Sequence, residues 1–162
     1  MTQKTLPPRI AGITDGEVTW KQLEAIDYEA LGYFLSCHLV IEHYIDEFLK
    51  IGHPTLDWDS ARQSFGQKVA LLSNLKFSDK YDCIPAIKHL NSIRNKLSHN
   101  IEFTIQPADL LPLTQYLAKV YEEKQELPTE TKEILGEFTI MTSVLFAGYI
   151  SGAAQNNKYT KD

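Results

Sequence analysis

Apolar residues recur along most of this chain at the three-to-four-residue spacing of helices that bury one face. Leu31, Phe34, Leu35, Leu39, Tyr44, Ile45, Phe48 and Leu49 predict a long first helix from about Asp27 to Ile51. Gly52, His53 and Pro54 stop it. Phe65, Val69, Leu71, Leu72 and Leu75 supply the stripe of a second helix, which a capping box at Ser60-Ala61-Arg62-Gln63 opens and which runs to about Leu75. Ile87, Leu90, Ile93 and Leu97 predict a third, with Pro85 in its first turn and its end near His99. A fourth spans about Ala108 to Lys124 with Pro112 in its first turn, and a fifth opens at Pro128 and runs to about Asn156.

Thr19-Trp20-Lys21-Gln22 reads as another capping box, ahead of the first helix. Residues 1 to about 17 show little periodicity and several Pro and Gly, and are expected to form an irregular arm; residues 157–162 are expected to be a disordered tail. Between them, residues 18–156 make one helical domain. No convincing strand is predicted; a short extended piece is available between Ile101 and Ile105. The expected fold is all-α, a five-helix up-and-down bundle.

Composition adds bounds. A length of 162 residues suits one domain. No basic start precedes an apolar run, so no secretory leader is expected. Cys37 and Cys83 stand among apolar residues, which suits buried thiols in a reducing cytoplasm better than a disulfide framework or a zinc site. Phe138 to Ala154 carries no charge and includes Gly148 and Gly152 four apart. It contains Thr139, Thr142, Ser143 and Ser151 and falls short of the roughly 20 apolar residues of a membrane span. A helix buried in the bundle or in a dimer seam is expected, with no membrane partner.

The net charge of -5 is unevenly placed. Ser60 to Ile101 holds Arg62, Lys68, Lys76, Lys80, Lys88, Arg94 and Lys96 against Asp79 and Asp82, with no acid at all between Cys83 and Ile101. Such a basic middle serves either as a phosphate-facing surface or as the partner of the acidic helices around it. His38 and Glu42 have metal-ligand spacing, but two ligands make no zinc site, and no metal or cofactor is expected. Asp57 and Asp59 fit N-capping. Trp20, Trp58, Tyr44, Tyr81 and Phe65 are candidates for base stacking or for packing.

The end of the third helix concentrates the chemistry. Arg94 is permanently charged and holds a phosphate through two parallel hydrogen bonds. Histidine, the residue type at His99, is the side chain suited to moving a proton at physiological pH. These types suffice for RNA cleavage without a metal: a proton leaves the ribose 2'-hydroxyl, another reaches the leaving oxygen, and a cation stabilises the phosphorane. On a regular helix Arg94 and His99 stand about 140° apart while Asn95 and His99 share a face. They converge only if the helix unwinds near His99 or if a two-fold dimer adds a second pair.

Arg94-Asn95-Lys96-Leu97-Ser98-His99, at a helix end in a small helical chain with Glu42 on the long helix upstream, resembles the HEPN superfamily over roughly Asp27 to Glu123. The resemblance implies a helical bundle, usually dimeric, often a metal-independent endoribonuclease of toxin–antitoxin or other defence systems. It implies Arg94 as the phosphate-binding cation, His99 as acid/base and Asn95 as polar helper. Lys96, Ser98 and Glu42 would support them, with Glu42 orienting Arg94 or Lys96. RNA substrate, a second copy, and a cognate antitoxin or regulatory protein would be the partners. One departure is Ile101, where paired toxins often carry a Tyr modified by a nucleotidyltransferase antitoxin. The same superfamily holds non-catalytic modules of the mannitol-repressor type, in which Arg94 and His99 would be structural.

Overall fold

The structure, a computed structural model, describes residues 7–22, 26–100 and 102–159. The elements are β1 (Arg9–Thr14), β2 (Glu17–Lys21), α1 (Tyr28–Gly52), α2 (Trp58–Ala61), α3 (Phe65–Leu72), α4 (Ile84–His99), α5 (Leu111–Tyr121) and α6 (Thr131–Tyr159). Single 3-10 turns at Asp79–Tyr81 and Pro107–Leu110 lead into α4 and α5. The chain is mainly helical, as expected, but with six α-helices and one hairpin among the described residues instead of five helices alone.

The hairpin corrects two expectations. The supposed irregular arm forms β1, and Thr19 caps no helix: its hydroxyl donates across the strands to the Gly12 carbonyl at 3.1 Å. Asp15 and Gly16 make the two-residue turn with φ of 53° and 81°. Both angles are positive, as the tight hairpin turn that matches strand twist requires. Of the expected tail, residues 157–159 continue α6 in backbone, and 160–162 lie outside the described residues. Ile101 lies outside them too, and 102–105 form no strand.

The expected second helix divides. Asp57 caps α2 by accepting from the Ser60 amide at 3.2 Å, the capping role expected of it. Arg62 then turns left-handed at φ 43° and ends α2. The capping box falls four residues later than expected, at Ser64 and Gln67, whose side chains each meet the other's backbone amide. Starting there places Phe65, Val69 and Leu72 in one buried stripe. Pro85 and Pro112 sit in the first turns of α4 and α5, where a missing amide costs nothing.

Phe34, Ile41 and Ile45 of α1, Ile87, Leu90 and Ile93 of α4, Leu113 and Leu117 of α5, and Phe138 and Phe146 of α6 form one core. Helices α1 and α6 run parallel and share the longest seam. Glu29 and Lys132 pair near their starts, Tyr33 Oη lies close over Gly136, and Phe48 meets Phe146 edge-on at 5.3 Å further along. Residues Thr131–Asn156 are long and apolar enough to cross a membrane by length and composition alone. Within the bundle that helix buries Ile134, Leu135, Phe138, Thr142 and Phe146 and leaves Ile140 and Val144 exposed.

Candidate functional site at the end of α4

Helix α4 owes its register to Ile84, Ala86, Ile87, Leu90 and Ile93, all buried. Cys83 offers no capping side chain, and the Asp82 carboxylate accepts from the Ile84 amide at 3.1 Å instead. The opposite end is regular. The Asn100 amide donates to the Lys96 carbonyl at 2.8 Å, so the α-helical ladder persists through His99. Beyond it the Asn100 side chain accepts from the Glu102 amide at 3.2 Å, and the Phe103 amide donates to the Asn100 carbonyl. Lys96 and His99 in the last turn complement the negative end of the helix.

Arg94, Asn95, Lys96, Ser98 and His99 are all exposed. Ser98 spends its hydroxyl proton on the Arg94 carbonyl at 3.0 Å, which weakens its candidacy as a donor to a ligand. The Lys96 ammonium lies 5.7 Å from the centroid of the Phe103 ring. Among the described residues no hydrogen bond or ion pair engages the side chains of Arg94, Asn95 or His99. Because the ladder is unbroken, Arg94 and His99 keep their offset of about 140° on one copy. One helix brings together Asn95 and His99, and leaves Arg94 on another face.

Glu42 does not reach Arg94 or Lys96 as an orienting partner. Its carboxylate accepts from the Lys68 ammonium at 2.9 Å, and Asp46, one turn on, takes the same ammonium at 2.8 Å. The reason is topological: α3 packs against the flank of α1 that carries both acids and interposes Lys68. Burial pulls the Lys68 pKa down, but the hydrogen bonds to Asp46 and Glu42 outweigh it and hold it above the usual value.

His38 is buried against Phe65, ring centroids 4.2 Å apart, and its Nε2 has no hydrogen-bond partner. Burial pushes its pKa below the usual value; Glu42 opposes that shift and Arg94 adds to it. Among the described residues no three His, Cys, Asp or Glu gather as a metal site. Cys37 and Cys83 are free and buried, and burial pushes Cys83 up to about 12.

Part of the basic middle partners acidic residues of the fold. Lys68 joins α3 to α1, and Lys80 pairs with Glu122. Arg62, Lys76, Lys88, Arg94 and Lys96 enter no ion pair among the described residues. The last three share α4, whose exposed surface carries no carboxylate. Of the aromatic candidates, Phe65 is core and Trp58 donates to the His53 carbonyl at 3.1 Å. Trp20 stands exposed on the hairpin.

A cavity of about 490 Å³ opens just past the end of α4. Leu31, Leu97, Phe103, Ile105 and Leu135 give it apolar walls, and Lys21 and Glu102 stand at its edge. Sequence periodicity gave no sign of it, because its walls come from separate segments, 26–31, 97–105 and 130–135. Compared with models of known families, with curated proteins and with solved structures, the chain matches none.

Proposed function

We propose that this protein is a metal-independent endoribonuclease of HEPN type, acting on single-stranded RNA in the cytoplasm as a toxin or defence component. The observation that carries it is the state of α4: Arg94, Asn95 and His99 are exposed and unpaired on a helix surface without acids, in a chain of net charge -5. A structural Arg or His would be expected to spend its hydrogen bonds inside the fold. The unbroken helix leaves convergence to a second copy, whose Arg94 would stand beside this copy's Asn95 and His99. In that cleft His99 exchanges protons with the 2'-hydroxyl and the leaving oxygen, and Arg94 neutralises the phosphorane. Glu42 is held by Lys68 and the Ser98 hydroxyl by the Arg94 carbonyl, so neither is assigned a step.

Incubation with single-stranded RNA in EDTA tests this, with His99→Ala and Arg94→Ala alongside. The unaltered protein is expected to cleave and each variant to lose at least about 100-fold, the usual weight of one acid/base group. Mixing the two variants is expected to restore part of the activity, since one mixed cleft in each heterodimer keeps an intact Arg and an intact His. Equal cleavage by the unaltered protein and His99→Ala would refute the assignment.

A second reading has its own support. The 490 Å³ cavity is within the size range of small-molecule sites and has the mixed lining such sites show. It favours a non-catalytic regulatory module of the mannitol-repressor type, in which ligand binding reports through the segment that follows α4. Absence of RNA cleavage, together with a melting temperature raised by a small-molecule library member and not in Leu135→Trp, would select it.

A further inference from the structure

Helices α3 and α4 pack side by side and leave a groove between them, a cavity of about 340 Å³ lined by Gly66, Val69, Ala70, Ser73, Lys88 and Asn91. Both walls are rows of a helix surface. Gly66, Ala70 and Ser73 recur every three to four residues on α3, and Lys88 and Asn91 stand three apart on α4. Small residues keep the α3 wall low. A Cβ at Gly66 would first meet the Asn91 amide nitrogen, at 3.6 Å, so the Asn91 side chain reaches across to the α3 backbone. The α4 wall carries the donors. Lys88 is exposed, and among the described residues no hydrogen bond or ion pair engages its ammonium or the Asn91 amide. The next member of the same row is Arg94, three residues on and equally unpaired. From Lys88 to Arg94 the row rises about 9 Å. No carboxylate lines the groove, although the chain carries a net charge of -5.

We propose that this groove binds the backbone of single-stranded nucleic acid and leads it to Arg94. Charge selects the class of occupant. A row of cation, amide and cation, with no acid among the lining residues, matches a run of phosphates, and a basic groove that tracks the backbone is how proteins hold single strands. Length selects a chain over a lone phosphate, because one phosphate at Lys88 cannot also reach Arg94 about 9 Å further along the helix. Asn91 stands between the two cations, and its free amide hydrogens suit a phosphate oxygen. The low α3 wall gives a strand room to lie along the row. No aromatic side chain lines the groove, so it reads the backbone and not the bases. The meeting of this track with a cleavage site at Arg94 rests on the ribonuclease reading; the groove and its charge do not.

Fluorescence anisotropy tests the groove by binding alone. The probe is a labelled oligouridylate of roughly 12 nucleotides, within the site sizes of single-strand binders, titrated in EDTA with the full-length His99→Ala protein over a salt series. Two neutralised phosphates give a slope of log affinity against log salt of about -1.4, and Lys88→Gln is expected to reduce it by about 0.7. Lys88→Glu and Ala70→Glu, which set a carboxylate on either wall, are each expected to weaken binding at least about fivefold, the weight of one ion contact at 4 Å in water. Both positions are exposed, so the melting transition is expected to stay; should Ala70→Glu fail to fold, the Lys88→Gln slope decides. Lys124→Glu makes the same charge change outside the groove and is expected to leave the affinity unchanged. No binding at low salt, equal weakening by Lys124→Glu and Lys88→Glu, or competition by polyglutamate as strong as by unlabelled oligouridylate would overturn the proposal. Groove-dependent binding without cleavage by the unaltered protein would leave the groove standing and remove the nuclease assignment. Cleavage that needs His99 but is indifferent to Lys88→Glu and Ala70→Glu would do the reverse.

Discussion

Replacing His38 by leucine is expected to stabilise the protein, and to do so more at acid pH. His38 is 4% exposed, its Nε2 has no hydrogen-bond partner, and its ring rests on Phe65 at an interplanar angle of 43°. An unsatisfied buried polar atom costs about 1–3 kcal/mol, which leucine removes. The lost ring contact with Phe65 returns about 0.5–1.5 kcal/mol. The net gain near neutrality is therefore about 1 kcal/mol, or about 2–4 °C in a chain of this size. The pH term has a definite sign. Burial, with Arg94, lowers the folded pKa below the usual histidine value of about 6.5, while Glu42 only partly compensates. The unfolded chain then binds the proton more readily than the native one. Stability from this site is fully present above about pH 6.5 and is lost as pH falls toward the lower folded value. Thermal melts of both proteins at pH 7.5 and 5.5 measure this. The gap in Tm should widen at pH 5.5. A variant that melts 4 °C or more below the parent at pH 7.5, or a gap that is the same at both pH values, would show that the imidazole has a partner and refute the reasoning.

Other perturbations have simpler outcomes. Ser64→Ala removes the capping box of α3 and is expected to cost about 1 kcal/mol in a denaturant titration. Lys68→Met strands Glu42 and Asp46 side by side and is expected to cost about 1–2 kcal/mol at pH 8. Because the folded Lys68 pKa is raised, its contribution is present below the unfolded value of about 10.4 and fades as pH rises through the folded one, so the two proteins should converge in strongly alkaline melts. Phe146→Ala opens a cavity at a fully buried position and is expected to cost about 3–5 kcal/mol by the same titration. Val144→Lys at an exposed position is expected to change stability by no more than about 0.5 kcal/mol; a larger loss would mean that the outer face of α6 is covered.

Helical periodicity was enough to locate α1, α4, α5 and α6, because each carries a long stripe that agrees with its caps or its prolines. It failed where two signals compete. Ser60 and Gln63 match the capping-box pattern as well as Ser64 and Gln67 do, and only the phase of Phe65, Val69 and Leu72 on the core decides between them. Thr19 and Gln22 imitate a box too, and that resemblance masked the stronger signal of Asp15-Gly16 between two short alternating runs. The exposure of Arg94 and His99 was not legible, since a helix end can face either way. Nor was the partner of Glu42: composition names seven basic residues in the middle of the chain, and only the packing of α3 on α1 selects Lys68 among them.

The seam between α1 and α6 has a consequence for how the molecule comes to exist. Glu29 and Lys132 are 103 residues apart in sequence, yet they close the start of the longest contact in the fold. A ribosome delivers α1 long before α6. Until α6 emerges, the flank of α1 that carries Tyr33, Cys37 and Phe48 has nothing to cover it, and the chain must cross a long interval as an incomplete bundle. A truncation that removes α6 would therefore not shorten the protein so much as arrest it at that interval, with the N-terminal helix still waiting for its mate.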